Sequence, residues 1–307
     1  MKNAILRLII FSAILFIILE ALSFIFIPNK SNLLQFGYYN KTKYDLLSEP
    51  NNTVDAVFLG DSIIYNGISP MHIWKNYGYT TYDCALPAAT MDEIYEYANL
   101  IVKSQHPKIV IFEGDTLFRN PHTIHKYKIT LKNMKKAIPL FTFHNNWKQL
   151  GSDTWINQYK GFKYSSKVKG PKRVPVYKFS NHRKEITDYN KEVFKNMVEL
   201  FQKNDIELVL MEIPNVYWTY EKHNSVLDLA QKYNLEYFQV TSKDLNLDWF
   251  TETKDDGVHM NYKGALKLSD YVANYIKSKN ILVDHRKDPN YDSWDKAYEI
   301  YSRTLYD

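Results

Sequence analysis

The chain has 307 residues, 45% of them apolar, with 39 Lys and Arg against 34 Asp and Glu for a net charge of +5. That is enough for one large α/β domain or two small ones, with ordinary globular apolar content. A single cysteine, Cys84, excludes an intrachain disulfide framework. No CxxC, HExxH or glycine-rich phosphate loop is present, so neither a metal nor a cofactor is expected.

Residues 4–27 form an apolar run whose last twenty residues hold one charge, Glu20. About twenty apolar residues at a rise of ~1.5 Å span a hydrocarbon core of ~30 Å. Lys2 and Arg7 precede the run, which favours a cytoplasmic N-terminus. The run continues to Pro28 without an A-x-A site, so an uncleaved anchor over 1–30 is expected rather than a signal peptide. Glu20 is then either a tolerated charge near the outer interface or a contact for a membrane partner. The body is expected outside the cytoplasm, on a connector over 31–53.

Val54 to Leu59 is β-branched and apolar on both faces, and stops abruptly at Gly60-Asp61-Ser62. That pattern predicts a buried central strand of a parallel sheet. A serine at its carboxyl end sits where open α/β sheets place ligands, and Asp61-Ser62 can start a helix. Further strands are predicted at 80–86, 108–113, 206–213 and 235–240. Helices are predicted at 71–77 behind Pro70, from Thr90 or Asp92 to about Gln105, and over 185–204, 221–233 and 262–279. Trp294, Ala297, Tyr298, Tyr301 and Leu305 suggest one more helix in the 284–307 tail. Strands alternating with helices argue for a doubly wound parallel sheet over 54–283.

Asp255-Asp256-Gly257-Val258-His259 lies just before the last helix of that domain. An aspartate three residues before a histidine on a turn can fix its tautomer and steady the imidazolium formed when it takes a serine proton. Asp256 has that spacing, and Asp255 is the alternative. Ser62 and His259 would both fall on the carboxyl edge of one sheet.

This pair and its order resemble the SGNH/GDSL hydrolase superfamily, with Gly60-Asp61-Ser62 matching the first block and Asp256-x-x-His259 the last. The resemblance covers about residues 54–279. It implies a flavodoxin-like three-layer fold, a Ser62 nucleophile, a His259 base, an orienting Asp256, and ester chemistry through an acyl-serine. The middle blocks depart from the pattern. Asp83-Cys84-Ala85-Leu86-Pro87-Ala88-Ala89-Thr90 stands where N-x-G-x-x-G-x-T is usual, which puts Ala88 at an oxyanion glycine. Glu113-Gly114-Asp115-Thr116 replaces a block with asparagine, and an ionised Asp115 cannot donate to an oxyanion. The oxyanion site then rests on the amides of Ser62 and Ala88. Gly60, Asp61, Asp115 and Asn215 complete the candidate oxyanion and substrate-binding set.

Residues 116–184 hold sixteen Lys and Arg and one acid, Asp153, while the remainder holds 23 basic and 33 acidic residues. So asymmetric a charge points to an anionic partner. Nucleic acid is excluded by location and by the lack of a nucleic-acid motif. An anionic cell-surface polymer or lipid headgroups remain, and Trp147 and Trp155 in this insert suit sugar stacking. One anchor on an extracytoplasmic body resembles the envelope-polymer acyltransferases of the superfamily, the teichoic-acid D-alanyl transfer and alginate acetylation proteins. Those work beside a multi-spanning membrane O-acyltransferase. The resemblance implies transfer of an acyl group through Ser62 to a hydroxyl of a teichoic acid or exopolysaccharide. A surface O-deacetylase or lipid esterase, and an anchored non-catalytic scaffold, are the alternatives.

Overall fold

A computed structural model describes residues 2–26, 45–119, 140 and 159–306. The chain divides into two compact units, residues 1–48 with 120–155 and residues 49–119 with 156–307. In the first, α1 (Lys2–Phe26) contains a stretch, Ala4–Ser23, long and apolar enough to cross a membrane. Six of the basic residues of the insert (Lys126, Lys128, Lys132, Lys135, Lys136 and Lys148) lie outside the described residues, as do Trp147 and Trp155.

The second unit is built on a parallel sheet of β1 (Ala56–Gly60), β2 (Thr81–Ala85), β3 (Ile109–Glu113), β4 (Glu207–Glu212) and β5 (Glu236–Gln239). Their order is β2-β1-β3-β4-β5, the flavodoxin-like order of a doubly wound sheet. β1, β2 and β3 are buried along their whole length, Asp83 on β2 and Glu113 on β3 included. Ala56, Phe58, Ile109, Ile111, Val209 and Met211 share one apolar core with α2 (Ser62–Gly67), α3 (Pro70–Tyr77) and α7 (Tyr262–Lys279). The alternate positions turn to the other face. There the Phe112 ring lies 6.1 Å from that of Phe194 on α5 (Asp188–Lys203), which packs beside α4 (Met91–Ser104). Helix α6 (Tyr220–Tyr233) joins β4 to β5.

Most helices start on the caps their sequences announce. Thr90 and Glu93 form a capping box, Thr187 accepts from Asn190 N, and Asn261 accepts from Lys263 N and Gly264 N. Gly78 ends α3 in the left-handed conformation at φ 72°. The tail is part of the body. Helix α8 (Asp292–Tyr306) buries Trp294 and Tyr301 against α3, with Trp74 and Trp294 rings 5.5 Å apart and Tyr301 Oη 2.9 Å from Ser69 Oγ. A two-residue hairpin, β6 (Thr253–Lys254) with β7 (His259–Met260), has no counterpart in the sequence reading, because two residues are too few to show a period.

Candidate functional site

β1 ends in Gly60 because the site leaves no room for a side chain. A Cβ there would meet Ile64 Cγ1 at 2.7 Å and Glu113 Cβ at 3.2 Å. Gly60 is therefore a packing residue that lets α2 turn tightly off the strand. Asp61 caps that turn, its Oδ1 accepting from Ile63 N at 2.8 Å, and its other oxygen pairs with the Arg119 guanidinium. Asp61 is fully buried, so it shapes the turn rather than meeting substrate. Ser62 follows on the carboxyl edge, half-buried.

The hairpin β6–β7 brings the second half of the site to the same edge. Ser62 Oγ lies 2.9 Å from His259 Nε2, and His259 Nδ1 lies 2.8 Å from Asp255 Oδ2. An ionised carboxylate only accepts hydrogen bonds, so Nδ1 carries the ring proton and Nε2 is left to take the serine proton. Burial alone would raise the Asp255 carboxyl. The hydrogen bond and charge of His259, with the charges of Lys254 and Lys163, outweigh it and hold the carboxyl below the usual aspartate value.

The aspartate that meets the His259 ring is thus Asp255, not Asp256. Both sit in the left-handed region, at φ 54° and 60°, inside a tight turn over 255–257. Successive side chains on such a turn diverge, and only the first faces the ring. The Asp256 carboxylate turns outward to Lys169 Nζ at 2.8 Å, and its amide donates to Lys169 O at 2.9 Å. Gly257, at φ 86°, completes the turn.

The remaining candidates divide. Ala88 is exposed just beyond β2 and adopts φ 48°, so alanine takes the left-handed conformation that glycine would take freely. Asp115 is held by Lys222 Nζ at 2.5 Å, and Asn215 is spent on its own turn. The Asn215 Oδ1 accepts from Tyr217 N at 2.8 Å and its Nδ2 donates to Ile213 O at 3.2 Å, so it is a buried turn former.

Three residues support Ser62 without having been singled out in the sequence. Asn66 Nδ2 donates to Ser62 O at 2.7 Å, and its Oδ1 accepts from Lys254 Nζ at 2.9 Å, tying α2 to β6. Tyr65, beside Ser62, is raised by burial and by the Asp61 charge, with the Ser62 hydroxyl pulling the other way. Asn66 stands one helical turn after Ser62, which is the signal that would have found it. Behind the edge, Glu113 is buried, and its carboxyl is pushed well up by burial and by the charges of Asp115, Asp61 and Glu212, against the pull of the Asp115 amide.

The edge is crossed by an irregular strap, residues 159–184. Beside it lies a cavity of about 410 Å³ lined by Tyr177, Lys178, Val216 and Trp218. Val216 N approaches Gly257 O at 3.4 Å, so the cavity wall adjoins the turn that holds His259.

No protein-family model matches this sequence, and no curated protein matches it either. Among solved structures, the chain is similar to a lipase/acylhydrolase from Enterococcus faecalis at 13% identity. That match covers 74% of this chain and 96% of that one, with a TM-score of 0.41. It is similar to the psychrotrophic esterase EstA from Pseudoalteromonas sp. at 12% identity, covering 73% and 97%, with a TM-score of 0.41. A GDSL-like lipase from Bacteroides thetaiotaomicron matches at 12% identity, covering 73% and 88%, with a TM-score of 0.39. At these identities and TM-scores the likeness carries no assignment of activity.

Proposed function

We propose that this chain is a membrane-anchored serine acyltransferase of the SGNH/GDSL type, working on the outer face of the cell membrane. The observation that carries the reading is the hydrogen-bonded chain Ser62–His259–Asp255 on the carboxyl edge of a parallel sheet. In the first half, Ser62 Oγ attacks the donor carbonyl while its proton passes to His259 Nε2. His259 then returns that proton to the departing alcohol or thiol, leaving an ester on Ser62. In the second half, an acceptor hydroxyl gives its proton to His259 and attacks the acyl carbon. Ser62 leaves and recovers the proton. Asp255 holds the ring and balances the imidazolium at each stage.

The developing oxyanion is assigned to the amides of Ser62 and Ala88, and Glu113-Gly114-Asp115-Thr116 adds no asparagine to them. Losing one such donor costs about 10²–10³ in rate, which suits a slow, dedicated transfer better than broad esterase turnover. The acceptor is an anionic cell-surface polymer, a teichoic acid or exopolysaccharide, and a multi-spanning membrane O-acyltransferase is the partner that supplies the donor. Hydrolysis is the second reading, favoured by one observation: the Asp255 side chain is 59% exposed, so water reaches the site.

A fluorophosphonate probe tests the nucleophile. The wild type should label and Ser62→Ala should not. A folded wild type that stays unlabelled would overturn the catalytic reading in favour of a scaffold. Surface polymer from a Ser62→Ala strain should lose ester groups, whereas a gain would make the enzyme a deacylase.

A further inference from the structure

The strap is stitched to the body at each step. It starts against the edge strand β2, where Asp83 N donates to Lys160 O at 3.0 Å. Lys163 N then donates to Tyr65 O at 2.7 Å on α2, and Tyr262 N donates to Ser165 O at 2.9 Å at the start of α7. Lys169 exchanges main-chain bonds with Thr253 and Asp256, at 3.1 and 2.9 Å. Tyr177 Oη donates to Asn215 O at 2.9 Å beyond β4, and Lys184 N donates to Glu221 O at 2.9 Å on α6. The strap therefore runs beside both halves of the Ser62 site.

Its outward composition is unusual. Residues 159–184 include no acid and nine Lys and Arg, eight of them exposed and Lys160 buried against Glu49. Among them, four apolar side chains face water: Val168, Val174, Val176 and Phe179 at 57%, 48%, 86% and 73% exposure. Phe250, 49% exposed, has its backbone against the strap at Gly170, whose absent Cβ would lie 2.6 Å from Phe250 Cα. A run of exposed apolar groups rimmed by charge marks an interaction surface rather than ordinary solvated coil.

We infer that the strap is a lipid-docking edge, which rests the mouth of the Ser62 site on an anionic bilayer surface. Interleaved cations and apolar side chains are what the headgroup region of an anionic membrane receives. The cations meet phosphates while valine and phenylalanine enter the acyl boundary. A soluble polyanion would use the cations and leave the four apolar groups in water. With α1 as the anchor proposed above, the bilayer is within reach. The 18 residues from 27 to 44 extend at most about 65 Å at up to ~3.6 Å per residue. The inference rests on that anchored reading for its setting, but not on Ser62 being reactive.

The test uses the full chain in nanodiscs of phosphatidylcholine alone or with phosphatidylglycerol. Cys84 is fully buried, so a dye directed to Val176→Cys reports one site. A matched dye at Lys203→Cys, exposed at the end of α5, is the control. Quenching by headgroup-borne spin labels should be at least threefold stronger at 176 than at 203 in anionic discs. Lys172→Glu with Lys178→Glu, or 0.5 M salt, should abolish that excess. Equal quenching at the two sites, or quenching indifferent to lipid charge, would overturn the inference. So would shielding of the 176 dye by free polyglycerol phosphate but not by lipid, which would assign the strap to a polymer. Fluorophosphonate labelling of Ser62 on the same Val176→Cys protein reads the catalytic proposal separately, since either result can fail without the other.

Discussion

The geometry distinguishes two adjacent aspartates that composition cannot. Asp255 touches the His259 ring at 2.8 Å, while Asp256 forms an exposed pair with Lys169, a kind of contact worth little. Asp255→Asn should slow fluorophosphonate labelling by about 10²–10⁴-fold, because an amide cannot hold the ring in the tautomer that leaves Nε2 free. Asp256→Asn should change it less than tenfold, and the reverse ranking would discard this assignment. Only the turn's two consecutive left-handed aspartates make the difference, and although aspartate favours that backbone more than most residues, the sequence does not say which of two neighbours then faces the ring. A second prediction concerns Glu113. Its carboxyl is raised in the folded state, so the folded chain holds a proton that the unfolded chain releases above the ordinary glutamate value. That stability is complete at acid pH and is lost as pH rises towards the folded value. Glu113→Gln keeps the carbonyl that accepts from Asp115 N at 3.0 Å and removes the ionisation. Its melting temperature should exceed the wild type's at pH 8 and match it near pH 4.

At the scale of elements, the strap depends on its first anchor. Lys160 Nζ lies 2.8 and 2.7 Å from the two Glu49 oxygens and 4.3 Å from the Trp294 ring centroid, with both charged side chains buried. Lys160→Met leaves the Glu49 charge buried and unpaired, a change expected to cost about 3–5 kcal/mol. Urea denaturation would measure that loss, and pairing the change with Glu49→Leu should recover most of it. Trp294→Ala should cost a similar ~3–5 kcal/mol through the cavity left against Trp74. A tail that melts independently of the body would contradict both. The five strands are readable from short β-branched and aromatic runs between turn residues, and most of the helices from a period and a cap. The strap was readable only as charge. Its course is set by main-chain bonds to six separate places, and coil held in that way has no repeating pattern.

For the whole molecule, the order of the strands explains why a site so divided in sequence is compact in space. β1 is central and delivers Ser62, while His259 arrives on the hairpin just before α7, which packs over α2. The sequence carried this juxtaposition, since a strand-end serine and a histidine before a late helix both map to one sheet edge. It put Ala88 in the place of an oxyanion glycine but did not carry the left-handed backbone that Ala88 takes there, at φ 48°. Ala88→Gly should keep the amide in place and relax the strain, so labelling of Ser62 should change less than threefold. Ala88→Pro removes the amide hydrogen and also pulls φ from 48° towards about −65°, and by both routes should slow labelling about 10²-fold or more.

Ser62 and its base are 197 residues apart. Until the ribosome has made residue 259 and the hairpin has closed, the serine is an ordinary hydroxyl with no proton acceptor. Nearly the whole α/β body must form before Ser62 and His259 meet, and such distant closures are slow. On the proposed acyl-serine reading, the long separation leaves the growing chain unable to take an acyl group until its body has closed.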